Sequence, residues 1–369
     1  MNPFTLNYEP EYFCDRQNEL ARLSKNISNG RNTLIHSPRR LGKSALIKHF
    51  FHTLEKKKNF ETIFIDLFAT TSLEGFIQAM AENILFKYHS KNFIEGVKTL
   101  LKGLSPNISF SPDGTPGIGL SVQPARYETT LKELFNYLET RKKKVIIAFD
   151  EFQEVAGYPE KGEAVLRTYI QNLSNVRFIF SGSSNHLLQQ MFFSAKRPFY
   201  QSVEIMVLDK INRETYFGFI KDNFEKNDKQ VAPDALEYLL DFSEIYTYYT
   251  QVVCNYAFSE TENKLELQQA YTITDDLIEN RKADYQSLLR LLPENQRKVA
   301  IAVANEGIIK KPTAIDFILK HRLPSVSSVA QALKSLENKE IICLTNDGYT
   351  VYDVFFKRFL QRYYGKELN

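Results

Sequence analysis

One segment of the chain brings together the residue types that bind phosphate groups. His36-Ser-Pro-Arg-Arg-Leu-Gly-Lys-Ser44 lies between an apolar run typical of a buried strand and a stretch with the spacing of an amphipathic helix. A loop in that position can surround a triphosphate with backbone N–H groups and the amino end of the helix. Lys43 would then reach the β and γ phosphates as a catalytic cation, and the Ser44 hydroxyl would ligate magnesium. The predicted nucleotide contacts are Ser37, Pro38, Arg39, Arg40, Leu41, Gly42, Lys43 and Ser44.

The segment departs from the pattern G-x-x-x-x-G-K-[ST] at its first position, where Ser37 replaces glycine. Serine fits that end of the loop at little steric cost, although it weakens the match. The alternative interpretation is a surface turn with a chance Gly-Lys-Ser. The strand, the helix and a second motif downstream favour the phosphate-binding loop.

Two carboxylates follow another buried strand. Val145-Ile-Ile-Ala-Phe-Asp-Glu-Phe-Gln153 ends its apolar run in Asp150 and Glu151. We expect Asp150 to hold the magnesium shell, directly or through water, and Glu151 to orient and deprotonate the water that attacks the γ phosphate. The alternative is that these carboxylates only cap the following helix. Because phosphoryl transfer needs lysine, metal and carboxylate to converge, the pairing with the upstream loop favours the catalytic role.

A third polar segment, Ser181-Gly-Ser-Ser-Asn185, follows a further strand. Ser183 and Asn185 are candidates for touching the γ phosphate or the attacking water, and we assign Ser183 to the catalytic set. The compatible alternative is an N-cap for the helix that begins near His186. The six histidines show no metal-ligand spacing, and His36, His49 and His186 receive no catalytic role.

The elements that position these motifs alternate between strand and helix from residue 30 to 210. Short runs of β-branched and aromatic residues are separated by stretches with apolar residues three and four apart. This alternation predicts an α/β fold, a parallel sheet with helices on both faces, whose ligands gather at the carboxyl ends of the strands. The predicted strands are 32–36, 62–68, 145–150, 176–181 and 203–208, and the predicted helices are 43–54, 73–88, 129–141 and 164–173.

The remaining segments predict an insertion and two further domains. Residues 105–122 alternate about Pro112-Asp-Gly-Thr115, which favours a β-hairpin insertion, with a disordered loop as the alternative. Residues 211–292 contain only helical patterns, at 212–224, 233–242, 248–259 and 274–292, and predict a helical lid. Residues 293–369 show three helices, at 295–305, 313–321 and 327–338, followed by a short hairpin, the order of a winged helix. Residues 1–210 then form the phosphate-binding core.

Composition limits the classes of partner. The chain has 369 residues, 43% hydrophobic and 25% charged, with 47 Lys and Arg against 44 Asp and Glu. The net charge of +3 excludes a chain coated in basic residues, so any basic partner surface must be local. Three scattered cysteines favour a reducing compartment, and the sequence shows neither a secretory start nor an apolar run of membrane-spanning length. We therefore expect a cytoplasmic protein without a membrane partner.

Taken together, these motifs resemble those of the archaeal-type ATPase family, which belongs to the AAA-like and signal-transducing (STAND) P-loop ATPases. The resemblance rests on Phe13-Cys-Asp-Arg-Gln-Asn-Glu-Leu20, Ser37-Pro-Arg-Arg-Leu-Gly-Lys-Ser44, Phe149-Asp-Glu-Phe-Gln153 and Ser181-Gly-Ser-Ser184. It implies binding and hydrolysis of ATP to ADP with magnesium at a P-loop, a helical lid and a winged-helix tail. It also implies that Arg16, from the first of these motifs, is a further nucleotide-binding residue.

The chain departs from the family pattern at two places. The family's P-L-Y-G-R appears as Pro198-Phe-Tyr-Gln-Ser202, so Ser202 stands where an arginine finger is expected, and nearby Arg197 is better interpreted as a surface residue. The family's lid motif H-P-Y-Y-x-Q appears as Tyr246-Thr-Tyr-Tyr-Thr-Gln251, without histidine or proline. The first departure predicts slow basal turnover, and the second predicts an altered lid contact to the nucleotide.

Two functions remain open for the tail. Residues 293–369 hold 12 Lys or Arg and 8 Asp or Glu, and the predicted recognition helix offers Ser328, Gln331, Lys334 and Ser335 but no arginine. The first interpretation is a nucleotide-dependent switch that engages an unidentified protein partner. The alternative is an ATP-regulated protein that binds DNA through the winged helix. The oligomeric state is left open.

Overall fold

A five-stranded parallel sheet forms the centre of the first part of the chain. The computed structural model describes residues 2–89, 104–110, 116–183, 185–345 and 347–365. The sheet strands are β1 (Thr33–His36), β2 (Phe60–Asp66), β5 (Lys144–Asp150), β6 (Val176–Ser181) and β7 (Glu204–Val207), in the spatial order β2-β5-β6-β1-β7. Every neighbouring pair is parallel. The predicted α/β fold with a parallel sheet is confirmed.

Helices connect these strands, as parallel pairing requires. α1 (Gln17–Ser28) precedes β1, and the connecting helices are α2 (Lys43–Glu55), α3 (Leu73–His89), α4 (Tyr127–Glu139), α5 (Gly162–Ile170) and α6 (Asn185–Phe193). The apolar pattern explains why β5 is an interior strand of the sheet, since six of its seven residues are buried. Phe149, Phe178 and Phe180 stack in register across β5 and β6 with centroids 5.9 to 6.2 Å apart, which fixes the two strands side by side.

The segment for which a hairpin insertion was predicted contains two paired strands. β3 (Leu104–Phe110) and β4 (Pro116–Val122) run antiparallel, with Ile108 opposite Ile118. The turn centred on Pro112-Asp-Gly-Thr115 lies outside the described residues.

The chain divides into two compact units, Asn7–Lys210 and Met1–Leu6 with Ile211–Asn369. The amino-terminal residues join the second unit because Phe4 is fully buried against Phe219, Phe224 and Phe258. Its backbone carbonyl accepts a hydrogen bond from Asn255 Nδ2 at 2.7 Å. The division of this unit into a lid and a winged helix at residue 292 stays a prediction.

The second unit is helical and ends in a small hairpin. Its elements are α7 (Arg213–Glu225), β8 (Gln230–Val231), α8 (Pro233–Phe242), α9 (Thr247–Glu260), β9 (Lys264–Leu265), α10 (Leu267–Glu279), α11 (Lys282–Arg290), α12 (Glu294–Glu306), α13 (Ile315–Lys320), α14 (Val326–Asn338), β10 (Ile342–Leu344), β11 (Tyr349–Val351) and α15 (Val354–Tyr364). The antiparallel β10–β11 pair follows three helices, so the predicted winged helix is confirmed. β8 and β9 pair in parallel.

One predicted helix is wrong. The apolar spacing predicted a single helix over 274–292, but the structure has α10 and α11 with a break at Asn280 and Arg281. The Arg281 guanidinium donates to the Leu277 carbonyl at 2.9 Å and so satisfies an acceptor that the end of α10 leaves open. The side chain replaces the hydrogen bond that a continuing helix would supply. The sequence analysis also missed α1 and α15.

A buried ion pair joins α15 to the turn between α8 and α9. Lys357 is 2% exposed, forms an ion pair with Glu244 and donates to Thr350 Oγ1 at 3.2 Å. Glu244 and Ile245 both have φ in the left-handed region, at 51° and 56°. Holding two consecutive non-glycine residues there is unfavourable, and the ion pair helps to hold that turn in place.

Removing the Lys357 ammonium should therefore destabilise this unit. We expect Lys357→Ala to lower its free energy of unfolding by about 2 kcal/mol, because the half-buried Glu244 carboxylate is left with only the Arg358 guanidinium, 3.8 Å away. The matched control is Lys298→Ala, which breaks an exposed ion pair with Glu294 and should cost less than about 1 kcal/mol. Urea denaturation followed by circular dichroism measures both. Equal midpoints for the two variants would show that the buried pair does not stabilise the turn.

Candidate functional site

The predicted magnesium ligands meet at the carboxyl edge of the sheet. Asp150 ends β5 and is 6% exposed, and its carboxylate accepts a hydrogen bond from the Ser44 hydroxyl at the start of α2. Its second oxygen, Oδ1, accepts from Ser181 Oγ at 2.7 Å and from the Glu151 backbone N–H at 3.1 Å. The contact is possible because β6 lies between β1 and β5, so the three strands end side by side. Sequence reasoning found Ser44 and Asp150 but missed Ser181.

The donor set suits magnesium. A carboxylate and a hydroxyl are hard oxygen ligands, and magnesium in phosphoryl-transfer sites takes only one or two protein ligands beside phosphate oxygens and water. Within the described ranges, no group of three or more His, Cys, Asp or Glu side chains could hold a metal ion. The site therefore fits a metal that arrives with a phosphate ligand better than a metal held by protein alone.

Lys43 lies beneath the loop that connects β1 to α2. Its Nζ donates to the carbonyls of Ser37 and Pro38, both at 3.0 Å, and to Ser37 Oγ at 3.3 Å. Burial lowers the pKa of Lys43 to about 8, against the raising effects of the Asp150 and Glu151 carboxylates; the nearby Arg39 charge lowers it further. The ammonium is thus held by loop acceptors that phosphate oxygens could replace.

The backbone of the loop explains why Ser37 is tolerated at the first motif position. Gly42 and Arg40 have positive φ values of 88° and 68°, whereas Ser37 is not among the described residues with positive φ. A left-handed backbone favours glycine, and Ser37 is not left-handed, so serine adds no backbone strain at position 37. Its hydroxyl is buried and donates to the Pro38 carbonyl at 2.9 Å.

Glu151 is tethered to the loop after β6. Its Oε2 accepts from Ser183 Oγ at 2.6 Å, from the Ser183 backbone N–H at 3.2 Å and from Gln153 Nε2 at 2.5 Å. The backbone of Glu151 is left-handed, with φ 55°, so the chain turns sharply after Asp150. The two carboxylates consequently have different partners. The structure brings Ser183 to Glu151, and their catalytic roles stay predictions.

Gln153 is a site residue that the sequence analysis quoted but did not assign. It is 5% exposed, and its Oε1 has no hydrogen-bond partner within the described residues. A Cβ placed at Gly182 would overlap that oxygen and would also lie 3.0 Å from Leu188 Cδ1. Gly182 therefore leaves the space in which the Gln153 amide reaches Glu151. The sequence feature that could have identified Gln153 is its position two residues after Glu151.

Arg16 contacts the phosphate-binding loop from the protein side. Its guanidinium donates to the carbonyls of Leu41 and Asp209 at 3.2 and 2.7 Å and pairs with Glu19 at 3.0 Å. Only 5% of the residue is exposed. These contacts tie the loop to the segment after β7, and a direct contact to nucleotide stays a prediction.

The remaining candidates have local partners. Arg197 forms an ion pair with the buried Glu163 at 3.2 Å, and Ser202 Oγ donates to the Phe199 carbonyl at 2.6 Å. Burial, together with the Lys43 charge, lowers the pKa of His36, whose Nε2 lies 3.3 Å from Gln189 Nε2. His49 stacks on Phe13 at 3.9 Å. The side chains of Asn185 and His186 lie outside the described residues.

Comparison with known proteins identifies the family. Residues 13–250 match the model of the ATPase domain predominantly from Archaea, and residues 283–362 match a winged helix domain model. No match was found among curated protein sequences.

Three solved structures share the fold. A Walker-type ATPase of Pyrococcus abyssi is 19% identical, with a TM-score of 0.66 over 97% of this chain and 99% of that one. The ORC2 protein of Aeropyrum pernix, in ADPNP-ADP complexes, is 12% identical, with a TM-score of 0.59 over 98% of each chain. The ORC1 protein of Aeropyrum pernix in complex with DNA is 14% identical, with a TM-score of 0.54 over 98% of this chain and 96% of that one.

At such low sequence identity, the similarity to these structures supports the fold alone. Membership of the ATPase family rests on the family model, which matches more than half of the chain. No helix in the described part of the chain is both long and apolar enough to span a membrane. The chain belongs to the family of ATPase domains found predominantly in Archaea, and it carries a winged helix domain in its carboxyl-terminal part.

Proposed function

We propose that this protein binds ATP with magnesium at residues 37–44 and hydrolyses it slowly to ADP. The observation that carries the proposal is the meeting of Lys43, the Ser44–Asp150 pair and Glu151 at the carboxyl edge of one parallel sheet. Phosphoryl transfer depends on such positioning and charge stabilisation more than on covalent chemistry of the protein.

Each residue has a distinct part in this proposal. Lys43 exchanges its loop carbonyl acceptors for β and γ phosphate oxygens and neutralises their charge. Ser44 and Asp150 hold magnesium, which neutralises the phosphates when it is bound. Glu151 orients the attacking water and accepts its proton, while Ser183 and Gln153 fix the direction of its carboxylate.

One departure from the family pattern supports a slow reaction. The family position for an arginine finger is Ser202, and Arg197 is engaged by Glu163. A partner could supply the missing cation in trans.

The direct test is release of inorganic phosphate from ATP by the purified chain, with magnesium and with EDTA. Magnesium-dependent turnover supports the proposal. Tight ATP binding without any turnover would reduce it to nucleotide binding, and failure to bind ATP would exclude it.

A methyl group at Gly182 should disturb the Glu151 tether. We expect Gly182→Ala to reduce turnover about tenfold, with ATP affinity changed less than about twofold, because the new Cβ displaces Gln153 while leaving the loop at residues 37–44 intact. Gly157→Ala is the matched control, since a Cβ there meets no atom within 4 Å. Steady-state hydrolysis and nucleotide titration measure both effects. Unchanged turnover in Gly182→Ala would remove Gln153 from the site.

We further propose that ATP and ADP favour different arrangements of the chain, so that hydrolysis operates as a switch. A γ phosphate offers contacts that a diphosphate lacks, and only such differential binding shifts an equilibrium between conformations. We expect protease sensitivity around Lys210 and Leu292 to differ between ADP and a non-hydrolysable ATP analogue. Identical cleavage patterns would remove the switch. A difference seen only at high protein concentration would indicate an assembly-dependent ATPase.

A further inference from the structure

Ser181 is a fully buried serine whose hydroxyl is bonded to one of the predicted metal ligands. Its Oγ donates to Asp150 Oδ1 at 2.7 Å, and the exposed fraction of Ser181 is 0%. Most side-chain hydrogen bonds in proteins go to backbone or water. Ser243, which is also fully buried, follows that rule and donates to the Leu240 carbonyl at 3.2 Å. The Ser181 hydroxyl instead contacts a carboxylate on the neighbouring strand, which places it in the candidate site.

The strand register explains how this hydroxyl reaches the carboxylate. β5 and β6 pair in parallel, and the last pair of their register joins Phe149 to Phe180. Asp150 and Ser181 each come one residue later, so they lie opposite each other on one face of the sheet. Ser181 also pairs with Ile35 of β1. Its backbone is therefore held from both sides, and the hydroxyl is presented to Asp150 by the sheet and not by a loop.

The donors that the described residues bring to Asp150 divide unequally between its two oxygens. Oδ1 accepts from Ser181 Oγ and from the Glu151 backbone N–H, at 2.7 and 3.1 Å. Oδ2 accepts from the hydroxyl of Ser44, the other predicted metal ligand. Each carboxylate oxygen has two acceptor positions, so these two donors fill Oδ1. Oδ2 is thus the oxygen left for a metal ion or for one of its water ligands.

Contact through one carboxylate oxygen suits magnesium better than calcium. Magnesium requires near-ideal octahedral geometry with bonds of about 2.0 to 2.1 Å. Calcium accepts roughly six to eight oxygens in a flexible shell and can take both oxygens of one carboxylate. Asp150 can offer both oxygens only if its hydrogen bonds from Ser181 and Glu151 are disturbed. That penalty applies to calcium and not to magnesium.

We propose that Ser181 is a positioning residue that confines Asp150 to contact through Oδ2 and thereby makes the site selective for magnesium over calcium. Ser181 acts through Asp150 and contacts neither the metal nor the nucleotide. The inference rests on the proposed binding of ATP with magnesium at residues 37–44.

The experiment measures how well each metal supports nucleotide binding. Anisotropy of a fluorescent, non-hydrolysable ATP analogue is followed with the full chain during titrations with Mg²⁺ and with Ca²⁺, and also in EDTA. The test variant is Ser181→Ala, and Ser181→Cys keeps a weak donor in a similar volume. The matched control is Ser243→Ala, which removes an equally buried hydroxyl from the other unit of the chain. Melting temperatures of all variants report whether they fold.

We expect Ser181→Ala to raise the half-saturating Mg²⁺ concentration about tenfold, because losing a group that orients a metal ligand typically costs about 10- to 100-fold in metal affinity. The half-saturating Ca²⁺ concentration should change less than about threefold, since calcium tolerates a carboxylate that is free to turn. Nucleotide binding in EDTA should match that of the wild type, which a general loss of structure would not allow. Ser181→Cys should lie between the wild type and Ser181→Ala.

Several results would overturn the role of Ser181 alone. These are unchanged magnesium dependence in Ser181→Ala, equal rises for the two metals, or a rise as large in Ser243→Ala. If Ser181→Ala does not fold, a wild-type metal preference in Ser181→Cys has the same consequence. A wild type that binds the analogue equally well in magnesium and in EDTA would overturn the metal site itself, and with it the proposed function.

Discussion

Lys43→Ala is expected to lose at least about 100-fold in ATP affinity or turnover. The ammonium group is buried beneath the loop and faces three loop oxygens at 3.0 to 3.3 Å. Removing one preorganised donor from a charge-stabilising site typically costs two to three orders of magnitude in rate. Asp150 and Glu151 hold negative charge beside it, so without the lysine their repulsion of a triphosphate is not balanced.

The matched control is Lys48→Ala, which removes an exposed lysine from the same helix. Lys48 lies over the Phe64 ring at 5.3 Å and contacts no group of the site. Its variant should retain wild-type ATP affinity and turnover in the same phosphate-release and titration assays. If Lys43→Ala binds and hydrolyses ATP as the wild type does, the loop at residues 37–44 is not the nucleotide site.

The meeting of Ser44 and Asp150 could be predicted because it depends on a phosphate-binding loop motif and on parallel strands that end at one edge. The alternation of strands and helices implies a parallel sheet, and parallel strands bring their carboxyl ends to one edge. A hydroxyl at the start of the helix that follows β1 and a carboxylate at the end of β5 then lie at the same edge, and the structure shows the Ser44–Asp150 hydrogen bond.

Contacts that depend on loop backbone could not be predicted in this way. Gln153 reaches Glu151 because Glu151 has a left-handed backbone and because Gly182 leaves space for the amide. Neither condition has a periodic signature in the sequence. The same applies to Arg16, which also has positive φ, at 70°, and whose partners Leu41 and Asp209 lie 25 and 193 residues away along the chain.

The break between α10 and α11 could not be predicted for a different reason. The apolar spacing continues from residue 274 to 292, so periodicity alone favours one helix. At the end of α10 the Arg281 side chain donates to the Leu277 carbonyl, so that acceptor is satisfied without a continuing helix. Helix ends that are satisfied by such local hydrogen bonds are weakly encoded in apolar patterns.

Glu151→Gln is expected to slow hydrolysis by about 100-fold or more while ATP affinity changes less than about threefold. The amide oxygen can replace Oε2 as the acceptor for Ser183 and Gln153, so the tether and the shape of the site are preserved. The amide cannot accept a proton from water, and general-base catalysis typically contributes 10² to 10⁴ in rate.

Glu154→Gln is the matched control for Glu151→Gln, because Glu154 is a neighbouring carboxylate that also accepts from Gln153 Nε2, at 3.3 Å. It should leave turnover within about threefold, since it removes a comparable charge and keeps an acceptor for Gln153, but removes no base next to the phosphates. The measurements are single-turnover hydrolysis and titration with a fluorescent ATP analogue, with and without magnesium. If Glu151→Gln instead loses magnesium-dependent binding and hydrolyses the bound ATP at the normal rate, Glu151 belongs to the metal shell. The base would then have to be sought among the other groups around Ser183.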